Sequence, residues 1–316
     1  MELSVVLVNR NGAACLPAAL SALAEHTECR ESEGIVVDSG SSDGSWRDVE
    51  RWWSRARALR FEENIGFCAG CNRGAEAARG RLLAFVNFDG RVEPGWDTPL
   101  RALLDDPSVA AATGLLLDAS GETIEAAGVE IAPNMATYGR QEGMPRSAAP
   151  SAPVDVVAPS GALMTVRRAD FLALGGFYEP IFMYGEEADY CLRAPGRVVL
   201  APASAIRHEY GHASGPRLSP FRRYLLSRNR LVNAARHLPG PALAKSVLAS
   251  AAFDLATVRQ SPDGAGPALA AALRGWRDGL AAMPAERRTR TAAERRAAAR
   301  RLVSFREAFT QHRRIA

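Results

Sequence analysis

The stretch that most constrains the fold is Leu82-Leu83-Ala84-Phe85-Val86-Asn87-Phe88-Asp89-Gly90. Five apolar residues end abruptly in an Asn-x-Asp pair and a glycine. The run is short for a helix and suits a strand buried on both faces. Ser4 to Val8 and Ile35 to Val37 are runs of the same type. The first ends in Asn9-Arg10-Asn11-Gly12, and the second in Asp38-Ser39-Gly40-Ser41-Ser42-Asp43-Gly44-Ser45. Leu16, Leu20 and Leu23 repeat at helical spacing after the first run, and Val49, Trp52 and Trp53 predict a helix after the second. Ala58 to Phe61 is a short third strand, and Ala75 to Ala78 is helical. With Val109 to Leu117 as a further strand, the alternation over residues 3–117 predicts an α/β fold. Its sheet is Rossmann-like, doubly wound and mostly parallel. Ligands bind beyond the carboxyl ends of such strands. Asp89 is therefore placed where a phosphate or a divalent cation is expected, since hard cations take oxygen ligands and bridge to substrate phosphates. Asn87, Asp89 and Gly90 also suit a plain turn.

Further along, residues 133–153 are rich in Pro, Gly, Ala and Ser and read as a mobile surface loop. Small residues at 160–162 allow close approach of a ligand or another backbone. Arg167 to Leu174 is helical, with Gly175-Gly176 as its stop. Then come Gly185-Glu186-Glu187-Ala188-Asp189, a short strand from Val198 to Ala201, and His208 and His212. Asp189 also stands four residues from Arg193, the spacing of a helical ion pair. Asp38 and Asp43 also suit turn and cap positions. The chain has no Walker A lysine and no GxGxxG after its first strand, which counts against P-loop ATPases and dinucleotide oxidoreductases. Five cysteines at irregular spacing imply no disulfide framework. Cys68 and Cys71 lack a second pair to complete a zinc site, so they are expected to pack.

Charge is uneven. Residues 217–316 hold 20 of the 39 Lys+Arg but only 6 of the 35 Asp+Glu. Such asymmetry points to an anionic partner for that end. Leu269, Leu273, Trp276 and Leu280 form one apolar helical stripe there, and Leu302, Phe305 and Phe309 another. Two uses of the arginines stay open. The helices pack on the preceding domain, or Arg222, Arg223, Arg228, Arg287 and Arg288 meet an anionic membrane surface. Nucleic acid is not expected, because no aromatic stacking motif accompanies the charge. No run reaches the ~20 apolar residues of a membrane span, and Asp254 interrupts the nearest, Ser246 to Ala256. No signal-peptide pattern precedes the first strand. The expected location is cytoplasmic, with peripheral attachment to the inner face of the plasma membrane if the arginines bind lipid.

From Val5 to about Pro239 the order of motifs resembles the inverting family 2 glycosyltransferases of GT-A fold, and most of all their rhamnosyltransferase-like branch. The motifs are Val-Asn-Arg-Asn after strand one, Val-Asp-Ser-Gly-Ser-Ser-Asp-Gly-Ser, Asn-Ile-Gly-Phe with Asn72 and Gly74, Asn-Phe-Asp, Gly-Ala-Leu-Met, Gly-Gly-Phe, Glu-Glu-Ala-Asp, and a His segment before Arg228-Asn229-Arg230. The resemblance implies a nucleoside-diphosphate sugar donor (dTDP- or UDP-linked, rhamnose favoured), a glycan or lipid-linked acceptor, and a place in cell-wall or polysaccharide assembly. It implies that Asn9, Asp38, Ser41, Asp43, Asn64, Gly66, Asn72 and Asn87 shape the nucleotide site. It also implies that Asp89 and His208 hold Mg²⁺ or Mn²⁺, and that the general base is Glu187, with Glu186 and Asp189 beside it. Asn87 departs from the family's first metal-motif carboxylate, Glu187 from its Asp, and Tyr178 from an Asp. The expected division is a catalytic domain over 1–216, with a nucleotide half to about 117 and an acceptor half beyond it, then a basic helical extension over 217–316. Two rival readings are a nucleotidyltransferase and a non-catalytic sugar-nucleotide or glycan binder.

Overall fold

The structure, a computed structural model, describes residues 1–208 and 219–307. His212 and Phe309 lie outside the described residues. The first half runs β1 (Leu3–Asn9), α1 (Leu16–His26), β2 (Ser32–Ser39), β3 (Ala56–Phe61), α2 (Gly66–Ala77), β4 (Leu82–Val86), β5 (Gly90–Val92), α3 (Asp97–Leu103) and β6 (Val109–Leu117). Then follow β7 (Ile124–Ala126), β8 (Val129–Ile131), β9 (Thr137–Gly139), β10 (Val154–Val156), β11 (Leu163–Arg167), α4 (Arg168–Ala173), α5 (Glu186–Arg193) and β12 (Arg197–His208). The chain closes on α6 (Pro220–His237), α7 (Gly240–Thr257), α8 (Ala265–Glu286) and α9 (Ala292–Ala299).

One large sheet has the order β10-β12-β6-β11-β4-β1-β2-β3. Its nucleotide half, β4-β1-β2-β3, is wholly parallel. β11 enters antiparallel between β4 and β6, and β12 returns parallel to β6. The period-two pattern of β1 explains the double winding. Leu3, Val5 and Leu7 face α1 in one core, and Val6 faces Cys68, Cys71 and Ala75 of α2 in the other. The CxxC is thus packing, as expected. Gly70 and Gly74 let α2 approach the sheet. A Cβ on Gly74 would lie 2.3 Å from Val6, and one on Gly70 2.7 Å from Val8.

Two expectations fail locally. The helix around Val49, Trp52 and Trp53 is a single 3₁₀ turn, Val49–Arg51, because Asp48 at φ 56° breaks the run. Residues 133–153 are not a free loop. Met135 at φ 61° closes a hairpin between β8 and β9, and Asn134, Met135 and Ala136 are buried.

The C-terminal helices pack on the preceding half, and several of their arginines are engaged either there or within the helical extension itself. Buried Arg223 donates to the Thr257 carbonyl, Arg228 to the Pro180 and Ile181 carbonyls, and Arg287 to that of Leu238. Arg222 lies over the Tyr184 ring, 4.9 Å from its centre. The Leu269/Leu273/Leu280 stripe does not face the core. Gly275 and Gly279 bring α8 against α6 so closely that a Cβ on Gly275 would sit 2.5 Å from the Tyr224 carbonyl. The leucines are left outside, with Leu273 60% exposed.

Candidate active site

Asn9 and Asp38 end neighbouring parallel strands and are paired in register. Asn9 Nδ2 donates to Asp38 Oδ1 at 2.8 Å and to Ser45 Oγ at 2.8 Å. Ser41 donates to Asp38 through both its hydroxyl and its backbone N–H. Asp38 is fully buried, and its carboxylate is engaged in holding this loop. Asp43 accepts from the Ala13 and Ser45 backbone N–H groups. Burial works against its charge, but the bonds from Ser45 and Ala13 outweigh it and hold the carboxyl below the usual range. Asn64 Oδ1 accepts from Ser39 Oγ and the Gly66 N–H. Gly66 has φ 83° and lies beneath the Phe182 ring, where a Cβ would come within 2.5 Å. These residues form one rim at the carboxyl ends of β1 and β2. Asn72 does not belong to it. It is buried on α2, where its Nδ2 donates to the Phe177 carbonyl and Glu179 and its Oδ1 accepts from the Phe177 N–H. Its amide clamps the Gly-Gly-Phe turn, with both Nδ2 hydrogens engaged there.

Asp89 lies in the turn from β4 to β5. β5 pairs with β12 so that Gly90 opposes His208, which brings the two side chains together. His208 Nε2 is 3.2 Å from Asp89 Oδ1, and its Nδ1 is 3.3 Å from Glu125 Oε2. Burial pushes His208 down, but Asp89 and Glu125 outweigh it and raise it to about 9. Apart from the His208 ring, buried Asp89 Oδ1 has no hydrogen-bond donor. A buried carboxylate oxygen in that position, facing an imidazole nitrogen, has the chemistry of a cation site. Among the described residues no group of three or more His, Cys, Asp or Glu is set around one point. Asp89 and His208 face each other as the candidate ligand pair, with Glu125 on the far side of the histidine ring. Asn87 ties the end of β4 to residues 160–162, its N–H donating to the Ala162 carbonyl at 3.1 Å.

Glu186 and Glu187 open α5. Their carboxyls are close enough that each shifts the titration of the other. Burial, and then the charge of Glu187, raise Glu186 well above the carboxylate range. Burial also raises Glu187, while hydrogen bonding opposes that rise. Of the two, Glu186 is the one whose charge the site disfavours more. Only Glu187 lines the adjoining cleft of about 220 Å³, with Tyr138, Tyr184, Asn229, Asn233 and Phe253 among its walls. Glu187 Oε2 and Asn233 Oδ1 are buried there without hydrogen-bond partners. Gly161 makes room for Glu187, since a Cβ would stand 3.0 Å from its Oε1. Asp189 does not reach the cleft. It is fully buried, paired with Arg193 at 2.8 Å, Arg236 at 2.7 Å and His237 at 2.8 Å. That removes it as a proton acceptor for substrate, because no face of its carboxylate is open.

Sequence reasoning missed the support behind Glu187. The loop into α5 has Phe182 at φ 67° and Tyr184 at φ 73°, conformations that side-chain-bearing residues rarely hold. Asn229 of α6 donates to the Ile181, Met183 and Tyr184 carbonyls, and Asn233 to that of Gly185. The Arg-Asn-Arg triplet is a visible signal, but its target carbonyls lie more than forty residues earlier.

A family model described as glycosyl transferase family 2 matches residues 4–164, just over half of the chain. Among curated proteins, Uncharacterized protein MT1568 of Mycobacterium tuberculosis (strain CDC 1551 / Oshkosh) is 34% identical over 111 residues. The match takes in 35% of this chain and 34% of that relative, so the similarity spans about a third of the relative's length. Among solved structures, GalNAc-T7 with UDP, GalNAc and Mn²⁺ superposes at TM-score 0.56 and 17% identity, covering 82% of this chain and 57% of its own. Mannosyltransferase PcManGT from Pyrobaculum calidifontis, in complex with GDP-Man and Mn²⁺, gives 0.54 at 19% identity, covering 94% and 86%. S. aureus TarS 1-349 in complex with UDP-GlcNAc gives 0.55 at 16% identity, covering 92% and 93%. At these identities the likeness is one of fold.

Proposed function

The chain belongs to glycosyl transferase family 2, and on that premise we propose that it moves a sugar from a nucleoside-diphosphate sugar to an acceptor hydroxyl, with inversion at the anomeric carbon. The observation that carries this reading is Glu187. It is a half-buried residue with a buried, unpartnered carboxylate oxygen on a cleft wall, beside a neighbour whose charge burial disfavours. A carboxylate so placed can accept the proton of an acceptor hydroxyl as it attacks. Tyr138, Tyr184, Asn229 and Asn233 give the cleft the aromatic and amide groups that a saccharide's faces and hydroxyls require. The donor rests on the rim of Asn9, Ser41, Asp43, Asn64 and Gly66, at the carboxyl ends of β1 and β2. Asp38 shapes that rim and meets a nucleobase only if Ser41 gives way. Asp89 and His208 would hold Mg²⁺ or Mn²⁺, which when bound neutralises charge on the departing diphosphate.

The finer reading is a dTDP- or UDP-linked donor, with rhamnose favoured, and a glycan or lipid-linked acceptor at a membrane face. Its support is the motif resemblance and the acceptor-side cleft. A thermal-shift panel of sugar nucleotides with Mn²⁺ tests the donor, because a specific ligand raises apparent stability by mass action. The expected result is stabilisation by pyrimidine sugar nucleotides and release of free nucleoside diphosphate on turnover. Stabilisation by purine sugar nucleotides alone would overturn the nucleobase assignment, and pyrophosphate release would overturn the reaction class.

A further inference from the structure

Helix α7 is turned inside out. Its buried positions are Ser246, Ser250 and Asp254, spaced every four residues. Leu248 and Leu255, on the opposite face, are 73% and 62% exposed. A surface helix of a soluble domain normally shows the reverse. The inward polar face is fixed. Asp254 pairs with Arg230 at 2.5 Å and accepts from Ser227 and the Trp276 indole, and Ser250 donates to the Asn134 carbonyl. Rolling the helix over would strand the buried carboxylate, so the apolar face stays outside. Exposed Lys245 and Arg259 flank the leucines, while the helix's sole carboxylate points inward. By length and composition Gly240–Gln260 is apolar enough to cross a membrane. Its bonds to α6, α8 and the β8–β9 turn fit instead a helix lying in the plane of an interface.

We infer that α7 docks the protein on the surface of an anionic phospholipid bilayer, with Leu248 and Leu255 entering the headgroup region and Lys245 and Arg259 meeting phosphates. Charge complementarity selects lipid over a second copy of the chain. Two α7 helices laid face to face, parallel or antiparallel, set cation against cation at both ends. The inference rests on the glycosyltransferase reading in one respect. Phe253, on the inward face of the same helix, lines the Glu187 cleft, so docking would hold that cleft one helix diameter, ~10 Å, from the bilayer that carries a lipid-linked acceptor.

Flotation of the full chain with vesicles tests this directly. Binding to phosphatidylcholine vesicles containing phosphatidylglycerol, weakening as salt rises, is expected, with little binding to phosphatidylcholine alone. Lys245→Gln with Arg259→Gln should lower partitioning about thirtyfold, at roughly fivefold per basic group at a charged surface. Leu248→Gln with Leu255→Gln should lower it about tenfold through lost apolar burial. Both variants should keep the wild-type circular dichroism spectrum and the wild-type nucleoside-diphosphate release with a water-soluble acceptor. That release tests the enzymatic reading separately, since it needs no vesicle. Failure of the wild type to float with anionic vesicles, or equal flotation of both variants, overturns the inference. A dimer in light scattering that the leucine changes dissolve would assign the face to a second copy instead.

Discussion

Glu186 and Glu187 are neighbours with different tasks, and the difference comes from what each side chain faces. Glu186 is enclosed, and burial disfavours its charge. Glu187 faces the cleft. Glu187→Gln keeps the shape and removes the base, so kcat should fall about 10²–10⁴-fold with donor affinity nearly unchanged. Glu186→Gln leaves Glu187 in place and should cost much less. A dead Glu186→Gln beside an active Glu187→Gln would reverse the assignment. Because the Glu187 carboxyl is raised and must be ionised to act, activity should be lost as pH falls through its raised value. The acid limb of kcat/KM should therefore lie above 4.5, the ordinary glutamate value; a limb at or below it would contradict the buried pair. Asp89→Ala should remove Mn²⁺-dependent nucleotide binding in calorimetry while leaving the folded spectrum unchanged, since the residue stands in a turn beyond the end of β4. Undiminished nucleotide affinity in chelator would remove the cation from the reading.

At the scale of elements, the sheet was legible where burial is two-sided and the chain reads as an apolar run. β1, β2, β4 and β6 fall where Ser4–Val8, Ile35–Val37, Leu82–Val86 and Val109–Leu117 put them. The facing of the C-terminal helices was not legible. A leucine stripe normally marks the buried side, but on α8 the glycines win that side through close backbone approach to α6. Asn72, Glu125 and Asn229 act through partners far away in the chain, and no local spacing encodes that. Asn229 shows what such a contact does. Its amide satisfies three carbonyls of a loop held at two unfavourable φ values, each costing about 1–3 kcal/mol. Asn229→Ala should let that loop relax and displace Glu187. The expected outcome is at least a tenfold loss in kcat with donor Kd unchanged and a modest drop in Tm. A drop in Tm with kcat intact would make the clamp structural only.

At the scale of the whole molecule, the expected boundary at residue 216 cuts through the structure's most heavily charged interior. Asp189 of α5 is held by Arg236 and His237 of α6 as well as by its own helix's Arg193. Arg236 in turn pairs with Glu286 of α8 at 3.1 Å and lies 3.7 Å above the Tyr178 ring. Tyr178 donates its hydroxyl to Glu286 at 2.8 Å, so the position where the family shows an acid here serves the extension. His237 is buried and pushed below its usual range, which leaves it neutral and donating Nε2–H to Asp189 while Arg290 donates to Nδ1. Burial opposes the Asp189 charge, but His237, Arg193 and Arg236 outweigh it and hold the carboxyl far below its ordinary value. A depressed carboxyl contributes stability that is present above its unfolded value near 3.8 and is lost as pH falls below it. Breaking a buried pair by removing one partner costs about 3–5 kcal/mol, because the remaining charges stay buried and uncompensated. Asp189→Asn should therefore lower the unfolding free energy by an amount of that order at pH 7 and by less toward pH 3, seen as a lower urea midpoint with the slope against urea unchanged. A fragment ending at residue 216 keeps Asp189 but loses Arg236, His237 and the Asn229 clamp, so it should not give a cooperative unfolding transition. A stable, cooperative 1–216 fragment would show that the catalytic half folds by itself and that α6 only leans on it.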